Sequence, residues 1–244
     1  MSLGVTLATA LRVAGQLRHD RRTVALVLVV PSALLSLLWY LFDNQPNTFA
    51  RIGTPMVGVF PLIMMFLITS IAMLRERTTG TLERLMSMPL AKLDLLFGYG
   101  LAFAFVGAVQ AFVTAAVAFG ALDIETAGPI WAVVALAIAN AVLGMALGLF
   151  VSAFATTEFQ AVQFMPVFIL PQFLLAGLFI PRERMPDVLE RISDFLPFTY
   201  AYEALAKVAA DDIDSRLWLD VGVVIGTSVL ALALGALTLR RRTP

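Results

Sequence analysis

Six stretches of the chain reach, within a residue, the ~20 mainly apolar residues that a helix needs to cross the hydrocarbon core of a bilayer. They are Thr23–Phe42, Gly53–Leu74, Leu95–Leu122, Thr126–Thr157, Phe159–Pro181 and Val221–Leu239, and none contains a charged side chain. Hydrocarbon offers the backbone no hydrogen-bond partner, so each stretch must satisfy its own N–H and C=O groups, which a helix does. The expectation is an all-α polytopic membrane protein with six transmembrane helices. The third and fourth runs are longer than a crossing requires, which predicts tilt or extension past the bilayer. Of 244 residues 60% are hydrophobic and 14% charged, against roughly 45–50% and about 25% in soluble domains.

Charge distribution sets the orientation. Arg12, Arg18, Arg21, Arg22, Arg75, Arg77, Arg84, Lys92, Arg240, Arg241 and Arg242 fall on one side of the alternating spans. Arg51, Arg182, Arg184, Arg191, Lys207 and Arg216 fall on the other. The positive-inside rule then places both termini and the Arg75 segment in the cytoplasm. A net charge of zero gives no argument for nucleic acid. With no cysteine and His19 as the single histidine, no nucleophile–base pair or metal cluster is visible.

The segments between the spans carry patterns of their own. Residues 1–22 place Leu3, Leu7, Leu11, Ala14 and Leu17 near one face at helical spacing, which predicts an interfacial helix along the inner leaflet. The first run lacks a small-residue cleavage site and reads as a retained span. In residues 182–217, Met185, Val188, Leu189, Ile192 and Phe195 predict a short amphipathic helix that Pro197 ends. A second short helix is expected from about Thr199 to Ala210. Both are too short to span, so they dip into the outer face of the bundle or cap it. No internal repeat appears, and residues 1–244 form one membrane domain.

The segment 75–94, RERTTGTLERLMSMPLAKLD, interrupts the apolar sequence. Arg75, Glu76 and Arg77 read as anchors at the membrane surface. Thr78, Thr79 and Gly80 read as a helix start, with Gly80 and Glu83 as half a capping box. Leu82, Leu85 and Met86 then share one face until Pro89 stops the helix, and Glu83 and Arg84 lie on the opposite edge. So short a helix needs a surface to dock on: a groove on a soluble partner, or the lipid headgroups.

ERTTGTLERLMSMPLAKLDLLFGYG resembles the cytoplasmic coupling segment of type-2 ABC transporter permeases, with its E-R-x-x-G-T-L-E-x-L-x-x-x-P pattern. A second block, LLAGLFIPRERMPDVLERISDFLPFTYAYEAL, resembles the element that follows the fifth span in that family. Thr78 and Thr79 depart from the charged residue that many members carry before the glycine.

The resemblance implies a homodimer, or a heterodimer with a sister permease, embedded among membrane lipids of the plasma membrane and bearing two copies of a cytoplasmic ABC ATPase subunit. ATP and Mg would be bound by that partner and no cofactor by this chain, which has no G-x-x-x-x-G-K-[ST] stretch. Glu76, Gly80, Thr81, Leu82, Glu83, Arg84, Leu85, Met86 and Pro89 would form the ATPase-coupling set. Gly177, Pro181, Pro186 and Pro197 would belong to the extracellular gate. Gln163, Phe164, Phe168, Gln172 and Phe173 would line a pathway along the dimer axis, suited to a drug or lipid-like cargo; hydrogen bonding between helices is the other reading of Gln163 and Gln172, and the reading of Gln110, Thr114, Asn140 and Gln160. Other readings are export of a polysaccharide or lipid-linked glycan, a secondary carrier, or a membrane scaffold. The carrier reading is disfavoured because the six runs hold no Asp, Glu, Lys or Arg.

Overall fold

A computed structural model of the chain describes residues 3–42, 46–81, 84 and 92–238. These are all helix and connecting loop. In chain order the helices are α1 (Leu3–His19), α2 (Arg21–Leu41), α3 (Pro46–Thr78), α4 (Lys92–Ala115), α5 (Ile130–Val151), α6 (Glu158–Leu175), α7 (Asp187–Ser193), α8 (Pro197–Ala209) and α9 (Ser215–Thr238). Six of them, α2 to α6 and α9, are long and apolar enough to cross a membrane, as the sequence pattern requires.

Helix boundaries differ from the apolar runs for local reasons. Asp20 stops α1 and caps α2, accepting the Thr23 N–H at 3.1 Å and the Thr23 hydroxyl at 2.6 Å. The interfacial helix therefore ends at His19, and Arg21 and Arg22 belong to the first span. Those hydrogen bonds from Thr23 hold the Asp20 carboxyl below its ordinary value. Much of the fourth run's extra length is loop, because Pro129 precedes α5 and the chain turns extended at Ala155. The last residues of α4 continue into a π-helical turn, Ala116–Ala121. α6 stops at Leu175 because Gly177 takes a left-handed backbone, φ +99°. α9 starts at Ser215, earlier than its uncharged run, and so carries Asp220 inside it.

The core is a close crossing of α3 and α5. A Cβ at Gly144 would run into the carbonyl oxygen of Leu62, and one at Gly148 into that of Phe66. Absent side chains let the two backbones meet, as in small-residue crossings of membrane helices. The Thr69 hydroxyl donates to its own helix at Met65 O, 2.5 Å, and also lies 3.3 Å from Met145 O across the crossing.

Of the two short helices expected before the last span, α8 is the one that dips. It buries Phe198, Ala201, Leu205 and Val208, and its Ala201 carbonyl accepts from Asn140 Nδ2 at 3.1 Å. Leu205 packs into the space left by Gly58, where a Cβ would lie 2.5 Å from its Cδ1. α7 stays outside: Phe195 just beyond it is 87% exposed and Val188 69% exposed.

α1 docks sideways on the start of α4. Thr9, Ala10 and Val13 are buried, and Thr9 fits against Gly98, where a Cβ would come within 2.5 Å. Of the predicted stripe, Leu3, Leu7 and Leu11 remain exposed, as a helix lying in a leaflet would leave them, whereas Ala14 and Leu17 are half-buried against the core.

Candidate functional site

The C-terminal end of α3 is fastened to three helices by three successive side chains. Residues on a helix advance by about 100° each, so Arg75, Glu76 and Arg77 point in three directions. Arg75 makes a two-pronged bond to Glu158, the first residue of α6, with Nε–Oε1 2.7 Å and Nη2–Oε2 3.0 Å. Glu76 lies 3.7 Å from Arg12 of α1. Arg12 in turn donates to the Tyr99 hydroxyl of α4 at 2.6 Å, its guanidinium carbon 5.6 Å from the ring centroid. Arg77 donates to the Thr238 hydroxyl at the end of α9, 3.3 Å away. The anchors expected at the membrane surface are thus staples between helices.

α3 ends where the sequence suggested a helix start. Thr78 is its last residue, and the Thr78 and Thr79 hydroxyls bond back to the carbonyls of Leu74 and Arg75 at 3.1 and 2.8 Å. Gly80, with φ +72°, closes the helix from the left-handed region. Its carbonyl accepts the Arg84 N–H at 3.0 Å, so the next helical turn begins at the same glycine. Thr81 lies within 3.1 Å of the Thr79 hydroxyl. Leu82, Glu83, Leu85, Met86 and Pro89 lie outside the described residues. On the far side of this segment, Asp94 is buried and accepts from Thr6 of α1 at 3.5 Å.

At the opposite end, Gly177, Pro181, Pro186 and Pro197 shape a clasp around Arg182. Gly177 turns the chain after α6, Pro181 precedes the turn Arg182–Arg184, Pro186 precedes α7, and Pro197 starts α8. Arg182 donates to Ser193 Oγ at 2.9 Å and to Glu203 Oε1 at 2.5 Å, and pairs with Asp194. Burial alone would lower the Arg182 pKa, but the Glu203 and Asp194 carboxylates outweigh it and hold the guanidinium above its ordinary value. Gly177 and Pro181 also line a cavity of about 660 Å³ with Arg51, Tyr202 and Glu203, whereas Pro186 and Pro197 do not. The sequence reading did not single out Arg182, although a cation flanked by Pro181 and Pro186 was the available signal.

The five α6 residues expected to share a pathway do not share a face. Gln163 and Gln172 stand nine positions apart, half a turn out of phase. Gln163 and Phe168 are exposed and Phe164 half-buried. Gln172 is buried, where its Oε1 accepts the Phe198 N–H at 3.4 Å and its Nε2 donates to Phe168 O at 2.8 Å. Phe173 meets Phe179 and Phe198 edge to face, with centroids 5.6 and 5.9 Å apart. Gln172 and Phe173 therefore fasten α6 to α8, while Gln163 and Phe168 sit on an outward face. Of the remaining polar groups, Gln160 bonds locally to Thr156 at 2.8 Å. Gln110 and Thr114 are fully buried, and their side chains find no hydrogen-bond partner among the described residues.

Charged side chains inside the long helices correct the expectation of spans free of them. Asp94 and Asp220 are buried within α4 and α9, and Asp220 takes Lys207 of α8 at 2.6 Å. Asp94 lies in the first turn of α4 and Asp220 in the second turn of α9, and the uncharged runs began one residue after each.

Residues 7–209 match the model of a family described as ABC-2 type transporter. The chain is 24% identical over 205 residues to ABC transporter G family member 20 of Dictyostelium discoideum, covering 82% of this chain and 28% of that protein. It is 26% identical over 157 residues to the probable multidrug ABC transporter permease YbhR of Escherichia coli (strain K12), covering 64% and 43%. It is 25% identical over 175 residues to the linearmycin resistance permease protein LnrN of Bacillus subtilis (strain 168), covering 68% and 43%. The chain thus spans less than half the length of these three relatives.

Proposed function

Because the chain belongs to the ABC-2 type transporter family, we propose that it is the membrane permease subunit of an exporter driven by ATP hydrolysis in a separate nucleotide-binding subunit. Two permease copies, or this chain and a sister permease, would carry two ATPase subunits on the side of the termini and of the Arg75 segment. That side is the cytoplasm by the positive-inside rule. ATP and Mg would reside in the ATPase. The cargo is a hydrophobic or amphipathic small molecule, a reading supported by the printed names of the bacterial relatives, one a multidrug permease and one a linearmycin resistance permease.

The observation that carries the reading is the triple attachment at Arg75, Glu76 and Arg77, directly before the turn at Gly80. A force applied to the segment after Gly80 reaches α1, α4, α6 and α9 through α3. ATP binding that closes the ATPase pair would bias these helices between two packed arrangements, one open inward and one outward. Gly80, Thr81 and Arg84 begin the element that would sit in the ATPase cleft, with Leu82, Leu85 and Met86 as its apolar ridge. The Arg182 clasp and the cavity beside it would form part of the outer gate.

The test is to tag the chain in its own host, purify it in mild detergent and assay for a co-purifying, vanadate-sensitive ATPase. A matched sample carries Leu82→Asp and Leu85→Asp. ATPase that accompanies the unmodified chain and is lost from the variant, with the variant still in membranes, is the expected result. ATPase retained equally by both would remove the ridge from the coupling role, and none with either would remove the exporter reading.

A further inference from the structure

α1, α2 and α4 enclose a groove of about 410 Å³ that opens beside the elbow at Asp20. α2 supplies Val24, Val27 and Leu28, and α4 supplies Phe105, Val106 and Val109. Arg18 of α1 is the only charged or polar side chain that lines it. The groove follows α2 from Val24 to Leu28, about 6 Å at 1.5 Å per residue, which fits within one leaflet of a hydrocarbon core about 30 Å thick. Its walls are those of an acyl-chain slot, and the guanidinium stands at its headgroup end.

The charge around that end has one sign in excess. Arg18, Arg21 and Arg22 are exposed and have no carboxylate within ion-pair distance among the described residues. Asp20 between them is engaged as the cap of α2 by Thr23. An apolar slot ending at an unpaired guanidinium is complementary to an acyl chain that carries an anionic head.

We propose that this groove binds an anionic phospholipid, one acyl chain along α2 and α4 and the phosphate on Arg18. The site is separate from the α6 surface and from the outer cavity, and it does not depend on what the exporter carries. An occupant wedged between α1 and α4 braces the helix whose Arg12 holds Glu76 and Tyr99.

Gly15 allows a clean block. It lines the groove, and a Cβ added there meets nothing within 4 Å. Gly15→Leu therefore adds bulk at the groove from a Cβ position that meets no protein atom, and leucine is the better helix former. The purified full chain, in detergent, is titrated with palmitoyl-oleoyl phosphatidylglycerol or phosphatidylcholine and read by native mass spectrometry. The unmodified chain is expected to bind phosphatidylglycerol about fivefold more tightly than phosphatidylcholine, the effect of one arginine at an anionic headgroup. Arg18→Gln is expected to abolish that preference, and Gly15→Leu to weaken both lipids. Equal binding of the two lipids, a preference that survives Arg18→Gln, or phosphatidylglycerol binding untouched by Gly15→Leu would each overturn the proposal. None of these readouts requires an ATPase partner, so their failure is distinguishable from failure of the exporter reading.

Discussion

Arg12 of α1 donates to the Tyr99 hydroxyl of α4 at 2.6 Å and stands 3.7 Å from the Glu76 carboxylate of α3. One guanidinium thereby joins three helices at the end of the bundle that leads to Gly80. α1 is thus tied into the packing of that end.

Arg12→Met and Glu76→Gln should each lower cargo-stimulated ATPase in reconstituted vesicles, and the double variant should lose little more than either alone. Neighbours in one network show interaction energies of about 0.5–3 kcal/mol. Fully additive losses would mean that the two side chains act independently.

Gly144→Ala should prevent stable assembly of the bundle, because its methyl would meet the Leu62 carbonyl, backbone that no rotamer change can move. Overpacking of this kind costs about 1–3 kcal/mol or more. Gly222→Ala is the control, since a Cβ there meets nothing within 4 Å. Thermal denaturation in detergent should separate the two variants.

Lys207→Met leaves the buried Asp220 carboxylate without its 2.6 Å partner. Breaking a buried pair costs about 3–5 kcal/mol, whereas replacing both members by apolar residues is often neutral. Lys207→Met with Asp220→Leu should therefore regain much of the melting temperature that Lys207→Met loses. A double variant less stable than the single one would contradict this account.

Arg182→Lys should fail to replace arginine. The guanidinium serves Ser193, Asp194 and Glu203 from separate nitrogens, a fan that a single ammonium cannot reproduce. Hydrogen bonds to charged groups contribute about 1.5–3 kcal/mol each. Faster proteolysis between Gly177 and Pro197 in Arg182→Lys is the expected observation, and unchanged cleavage would count against the clasp.

The six spans were legible because each is a long uncharged run, and hydrocarbon enforces that rule without help from neighbours. The small-residue crossing at Gly144 was not, since glycine at that position carries no mark of what lies against it. Asp94 and Asp220 were read as lying outside the spans because hydropathy marks where charge starts, not where helical hydrogen bonding does. The grouping of Gln163 with Gln172 failed on phase: polarity was read along α6 without its 100° step. Arg182 escaped notice because its partners lie 11, 12 and 21 residues further along the chain and meet it only once α7 and α8 are in place.

The triple attachment at the C-terminal end of α3 also decides which motion is cheap. Turning α3 about its own axis would tear Arg75 from Glu158, Glu76 from Arg12 and Arg77 from Thr238 together. A swing that carries α1, α6 and α9 along with α3 breaks none of them. The moving body would then be α3 with α1, α6 and α9, joined by α4 through the Arg12–Tyr99 bond and by α5 through the crossing at Gly144, with α3 as its keel.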